Sequence, residues 1–268
     1  MSESPDPDIE TIDGTVFELR PMKREPTKPD RVCLRKNRTF TNRYLALANE
    51  FNHCRMVEVG VDRGGSTSFF TKLFQPEALL AIELSDKPLT TLEDFLAKHD
   101  PERKVSLNLG VNQADTVRVP ELVKSTFADK SLDIVVDDAS HLLQPTTATF
   151  EMLFPLLRPG GLYVIEDWSF RHLHERGVTL AMDSDPGGKA TKGAIAARDA
   201  KVEFETPMSF LICQLVIAAG YRIDWVTDVR VTDGFCEIRR GDAEIPAGTP
   251  ISNYIGYLGG RMLETNDA

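Results

Sequence analysis

The sequence predicts an α/β fold: a mostly parallel sheet of seven strands, helices on both faces, and a C-terminal antiparallel hairpin. Three observations predict it. Short apolar runs alternate with segments of helical spacing from residue 38 onward. Two of those runs, DIVVDDASH (133–141) and LYVIEDW (162–168), end in acid and flank one helical segment. Strand, helix, strand in that order places two parallel strands side by side, with their carboxyl ends at one edge. Finally, YRIDWVTDVRV and FCEIRR flank a TDG turn, the pattern of a hairpin.

The elements follow in order. Residues 1–30 are rich in proline and charge (PDPD, RPMKREPTKPD), so 1–37 reads as a polar arm ahead of a domain at 38–268. Within the arm, TVFELR is a short strand that docks on the body or on another subunit. RTFTNRYLALANEFN (38–52) spaces Tyr44, Leu45, Ala48 and Phe51 as a helix does. RMVEVG (55–60) is a buried strand, followed by the loop VDRGGS and a helix over TSFFTKLF. ALLAIELSD (78–86) is the second strand, PLTTLEDFLAKH (88–99) a helix, and KVSLNLGVNQAD (104–115) contains the third strand. VPELVKSTF (119–127) is a helix; 132–137 and 162–166 are the fourth and fifth strands. Between them TTATFEMLFPLLRPGG (146–161) reads as a helix stopped by its glycines. Residues 169–206 are polar and weakly periodic, and two readings stay open: an active-site lid or a disordered surface insertion. PMSFLICQLVIAAG (207–220) is a strongly apolar helix ahead of the hairpin.

Length and charge exclude several classes. A chain of 268 residues is long enough for one large α/β domain with a buried core. A formal charge of −10 argues against a nucleic-acid partner, which needs a basic footprint. No apolar stretch is long enough to span a bilayer, and the acidic N-terminus lacks the apolar region of a signal peptide. Cys33, Cys54, Cys213 and Cys236 are scattered, with no metal-binding spacing, as expected of reduced thiols in a cytoplasmic protein. The polar arm and the apolar ISNYIGYLGG (251–260) suggest packing between the subunits of a homodimer.

The chemistry gathers at the strand ends. Asp138, His141, Glu166 and Asp167 converge at the carboxyl edge, where open α/β sheets place their ligands. Like charges packed together need neutralising, and a hard divalent cation such as Mg²⁺ prefers oxygen donors. Asp137 stands beside Asp138, and because alternate strand residues face opposite sides it is the alternative ligand. In VEVGVDRGGSTSFF, small residues let the backbone approach a ligand at a helix N-terminus. Glu83, ending the second strand, suits two ribose hydroxyls. Trp168 is either a stacking platform or core, and His172 and His174 read as solvated.

The pattern E-x-G-x-x-x-G-G-S, the acid ending the second strand and the closing hairpin resemble class I S-adenosylmethionine-dependent methyltransferases, with their Rossmann-like sheet, over roughly residues 40–240. The resemblance implies that Glu58, Gly60, Arg63, Gly64 and Ser66 meet the methionine end of S-adenosylmethionine and Glu83 the ribose. It places Asn112 and Gln113 near the adenine, where plain turn chemistry is the competing reading, and Asp137 near the cofactor's charged end.

DDASH, IEDW and FEMLFPLLRPGGLYVIED (150–167) are similar to the metal-dependent sugar O-methyltransferases of natural-product pathways, the macrocin and mycinamicin enzymes among them. Mycobacterial-type methylmannose polysaccharide methyltransferases share the motif set. This resemblance implies that Asp138, Glu166 and Asp167 hold Mg²⁺, that His141 is the general base, and that the acceptor is a sugar or glycoside hydroxyl. Catechol-type methyltransferases carry Asp-Asn where this chain has Glu166-Asp167. The alternatives are a catechol or phenol acceptor, a non-catalytic S-adenosylmethionine-binding domain, and a nicotinamide oxidoreductase.

Overall fold

A computed structural model describes residues 8–19, 31–128, 131–199 and 206–263. Much of the expected polar arm, and residues 200–205 of the expected lid, lie outside the described residues. The chain begins with β1 (Ile9–Ile12), β2 (Thr15–Leu19) and β3 (Arg31–Leu34), then α1 (Arg38–Ala48). The main body runs β4 (Arg55–Val59), α2 (Gly65–Phe74), β5 (Ala78–Glu83), α3 (Thr90–His99), β6 (Val105–Leu109), α4 (Arg118–Phe127), β7 (Leu132–Asp137), α5 (Leu143–Leu153) and β8 (Leu157–Glu166). It closes with α6 (Phe170–Ser184), α7 (Lys189–Asp199), α8 (Ser209–Tyr221), β9 (Val226–Thr232), β10 (Phe235–Arg240) and α9 (Ser252–Leu263).

The main sheet has seven strands in the order β6-β5-β4-β7-β8-β10-β9, parallel except for β10, which runs antiparallel to both neighbours. The expected sheet and hairpin are therefore present. Central strands such as β4 are buried on both faces, as parallel strands between helix layers must be. The edge strand β9 is largely exposed and carries Asp228 and Arg230, which discourage pairing with another chain.

Alternation along the strands divides the core in two. Val57, Val135 and Tyr163 pack with α4, α5, α8 and α9. Met56, Ile134 and Val164 pack with α1, α2 and α3. The second layer also takes Phe17, Leu19, Val32 and Leu34, all at most 4% exposed. The stretch that composition marks as a polar arm thus supplies a three-stranded sheet, β1-β2-β3, that docks on the body: β2 lies within TVFELR, and Phe17 sets its ring edge-on to Phe69.

Two other expectations change. The helix expected over 146–161 starts at Leu143 and ends at Leu153, and Pro155 then sits in a 3₁₀ turn, because proline has no N–H to continue the ladder. The chain is already extended from Leu157, so β8 runs through Pro159 and Gly160. Residues 169–199 are two helices and not an irregular insertion. ISNYIGYLGG lies largely in α9, where Tyr254 and Ile255 are buried in the core, Tyr254 with its ring against Phe154 and Trp225.

Candidate active site

β4, β7 and β8 end level with one another: Val59 pairs with Asp137, and Asp137 with Ile165. The chain leaves β4 for β5 on one side and returns to β7 on the other, so a crevice opens at this switch point. It holds a cavity of about 690 Å³. Of the expected site residues, Gly60, Arg63, Ser66, Glu83, Asn112, Gln113, Asp138, His141 and Asp167 line it. Gly64 is buried, and Glu58, Asp137 and Glu166 are buried with at most 2% exposure.

One wall is the glycine loop. Gly60 has φ 95°, and a Cβ there would meet the Asp138 carbonyl oxygen at 2.2 Å, so only glycine lets the loops after β4 and β7 approach this closely. Gly64 turns the chain into α2 at φ 85°. Glu83 splints the loop: Oε2 accepts from the Val61 and Asp62 N–H groups at 2.9 and 2.8 Å, and Oε1 from Ser85 N at 2.8 Å. Neither Glu58 oxygen has a hydrogen-bond partner among the described residues. Burial pushes the Glu58 pKa up to about 7.

Asn112 accepts from Ala114 N at 3.0 Å, the expected turn bond. Gln113 is buried and ties three elements together. Its Nε2 donates to Thr149 Oγ1 at 3.0 Å and to Asp137 at 3.3 Å, and its Oε1 accepts from Ser140 N at 3.1 Å. Asp137 also accepts from the Tyr163 hydroxyl at 3.2 Å, and burial pushes its pKa up to about 7.

The opposite wall is acidic. His141 Nε2 lies 3.1 Å from Asp138 Oδ1 and 3.9 Å from Asp167 Oδ2. Ligand atoms of these three residues all fall within 4.8 Å of one another, a spacing one cation can bridge. His141 and Asp167 both have left-handed backbones, at φ 56° and 52°. Such conformations cost non-glycine residues on the order of 1–3 kcal/mol and concentrate at functional sites. Burial opposes charge on His141, but Asp138 and Asp167 outweigh it and raise its pKa above the usual value. Burial and Asp138 raise Asp167.

Glu166 does not join that cluster directly. Its two oxygens accept from Lys36 Nζ at 2.6 and 2.7 Å, and the Tyr44 hydroxyl donates to it as well. The same ammonium donates to Asp138 Oδ2 at 2.9 Å. Burial works against both charges, yet Asp138 and Glu166 hold Lys36 above its usual pKa, while Lys36 and His141 hold Asp138 well below the carboxylate range. Burial and Asp138 push Glu166 up. Sequence reasoning missed Lys36 and Tyr44. The apolar VCL run directly ahead of Arg35-Lys36 signals a buried strand, though not which acids a cation after it meets.

The flanking residues are plainer. Trp168 packs on the core and donates its N–H to Thr232 O at 2.9 Å, so it is anchored there. His172 is within 2.8 Å of Ser209 Oγ, and His174 lies edge-on to Phe170, so the two histidines point at different partners. Phe170 in turn stands 5.5 Å from the His141 ring.

Residues 57–168 match the sequence profile of a methyltransferase domain family. Demethylmacrocin O-methyltransferase of Streptomyces fradiae is 30% identical over 157 residues, covering 55% of this chain and 35% of that protein. Mycinamicin VI 2''-O-methyltransferase of Micromonospora griseorubida is 30% identical over 120 residues, covering 42% and 27%. The matched region therefore spans about a third or less of those relatives. Among solved structures, MycE methyltransferase from the mycinamycin biosynthetic pathway, in complex with Mg, SAH and Mycinamycin VI, aligns at 21% identity with a TM-score of 0.49, covering 78% of this chain and 50% of that one. The profile match to a methyltransferase domain thus falls on residues 57–168, the stretch from β4 to Trp168 that carries the glycine loop and the acidic wall.

Proposed function

We propose that this protein transfers a methyl group from S-adenosylmethionine to a sugar hydroxyl, on a saccharide or a glycosylated natural product, with Mg²⁺ at the acidic wall and His141 as general base. The observation that carries the reading is the Asp138, His141 and Asp167 cluster on the rim of the glycine-loop cavity. The activities of the macrocin and mycinamicin relatives support the acceptor class.

The residues fit both groups. The Glu58 carboxylate behind the loop, without a hydrogen-bond partner among the described residues, suits the cofactor's ammonium, with Gly60, Arg63, Gly64 and Ser66 around the methionine end. Glu83 keeps lone pairs for the ribose hydroxyls, Asn112 and Gln113 stand toward the adenine, and Asp137 lies near the charged end. Asp138 and Asp167 are hard oxygen donors of the kind Mg²⁺ takes, and Glu166 is the third acid. When bound, S-adenosylmethionine supplies an electrophilic methyl group and Mg²⁺ orients and acidifies the acceptor hydroxyl.

The chain's own residues do the rest. His141 accepts the hydroxyl proton, and Asp138 and Asp167, 3.1 and 3.9 Å from its Nε2, stabilise the imidazolium that results. Phe170 shields that ring from water, and α6 with α7 acts as the lid. We further propose a cytoplasmic homodimer. The exposed Val216, Tyr221 and Ile223 support the dimer, and a sedimentation mass at the monomer value removes it.

The test is labelled S-adenosylmethionine with a panel of sugars and glycosides, partly methylated mannosides and a catechol included, each with Mg²⁺ or with EDTA. Transfer to a sugar should need the metal and fall about 100-fold or more in His141→Ala. Transfer that survives EDTA removes the metal, and transfer only to the catechol changes the acceptor class.

A further inference from the structure

Lys36 is the least expected charge in the protein. Its side chain is 2% exposed, yet its ammonium is held by two carboxylates from different strand ends, Asp138 at 2.9 Å and Glu166 at 2.6 Å. It arrives from outside the main sheet, at the end of β3, where the chain turns into α1 behind the Asn37 cap. Tyr44 and Phe70 enclose it, with ring centroids 5.7 and 5.9 Å from Nζ. Two of the three acids assigned above to the metal therefore already share a cation built into the chain.

A divalent ion at Asp138 and Asp167 would sit next to that ammonium, and two cations drawn to the same oxygens repel each other across a poorly solvated gap. Resting on the metal reading above, we propose that Lys36 is an internal competitor for the metal. The lysine neutralises Asp138 and Glu166 when no metal is bound, and a divalent ion enters only by drawing Asp138, or both acids, away from it. Lys36 is thus a positioning residue that sets the metal affinity, and it makes that affinity depend on how the N-terminal sheet is docked. The acids avoid mutual repulsion while empty, at the cost of weaker metal binding.

The experiment is titration of the full chain with MgCl₂, and with MnCl₂ followed by electron paramagnetic resonance, in wild type, Lys36→Met and Lys36→Arg. Thermal melting at each metal concentration runs beside it. Removing the ammonium should tighten binding on the order of tenfold or more. It should also lower the melting temperature without metal and enlarge the rise that metal produces. Lys36→Arg, which keeps the charge, should stay near wild type. Equal or weaker binding by Lys36→Met overturns the proposal and leaves Lys36 as a holder of the two acids. Lys36→Gln repeats the test with a neutral donor. Variants that fold only when Mg²⁺ or Mn²⁺ is added count for the proposal, since one cation has replaced the other, and variants that neither ion restores count against it. Wild type that binds metal while the variants bind no tighter defeats only this inference. Absence of binding in every form defeats the metal reading as well.

Discussion

At the scale of single residues, the site is built from carboxylates that the fold buries before any ligand arrives. Glu58 is 1% exposed, with no partner among the described residues, and its pKa rises to about 7 from an ordinary 4.5. The native state therefore holds this proton more tightly than the unfolded chain does. Below about pH 4.5 both states are protonated and the residue has no effect. As pH rises from there through 7 the unfolded chain gains a solvated charge that the native state resists, and stability falls by about 3 kcal/mol before levelling off. Glu58→Gln removes the charge and keeps the shape. We expect it to raise the melting temperature of the ligand-free protein by several degrees at pH 8, and to leave it unchanged near pH 4.5. Asp137 titrates over the same range, so the difference between wild type and variant, not either curve alone, isolates Glu58. A gain of equal size at both pH values would show that the Glu58 charge is not the cause.

At the scale of elements, what the sequence made legible was what repeats locally. Acid-terminated apolar runs separated by helical spacing give β5, β7 and β8 in order, and the Thr-Asp-Gly turn gives β9 and β10. What stayed hidden depends on contacts distant in sequence. The strand β2 is legible in TVFELR, but β1 and β3 are four residues long, too short to show a period, and they border a stretch dominated by proline and charge. Lys36 meets its acids across 102 and 130 residues, and no local pattern announces such a pairing. The helices α6 and α7 were obscured for a different reason: of residues 170–199, Arg171, Val178 and Thr191 are buried, so there is almost no apolar stripe to read. The same sparse burial predicts behaviour. Elements that bury little surface open locally at low free energy. Amides of α6 and α7 should exchange with deuterium orders of magnitude faster than those of β4, β7 and β8. Adding S-adenosylhomocysteine with Mg²⁺ should slow them if they close over the cavity. Exchange in α6 and α7 as slow as in the central strands would make them a rigid wall.

At the scale of the whole molecule, the N-terminal sheet decides whether the main sheet's second face is finished. Phe17, Leu19, Val32 and Leu34 sit at 0, 4, 0 and 0% exposure in the layer that holds Tyr44 and Phe69. Burying a large apolar side chain is worth about 1.5–3 kcal/mol, so the four together contribute about 6–12 kcal/mol, as much as the entire stability of a typical domain. The same sheet also carries the chain to Arg35, which pairs with Asp62 of the glycine loop at 2.9 Å, and to Lys36 at the acids. The approach is tight: a Cβ on Gly65 would meet the Cys33 carbonyl oxygen at 2.3 Å, so β3 lies directly against the start of α2. Core and site are therefore completed by one docking event. A chain lacking residues 1–34 should lose cooperative melting and bind a hydrophobic dye. Phe17→Ala in the full chain should cost about 3–5 kcal/mol and still unfold in one step. If the truncated chain instead melts cooperatively at the full chain's temperature, the sheet is an appendage and the layer holding Tyr44 and Phe69 closes without it.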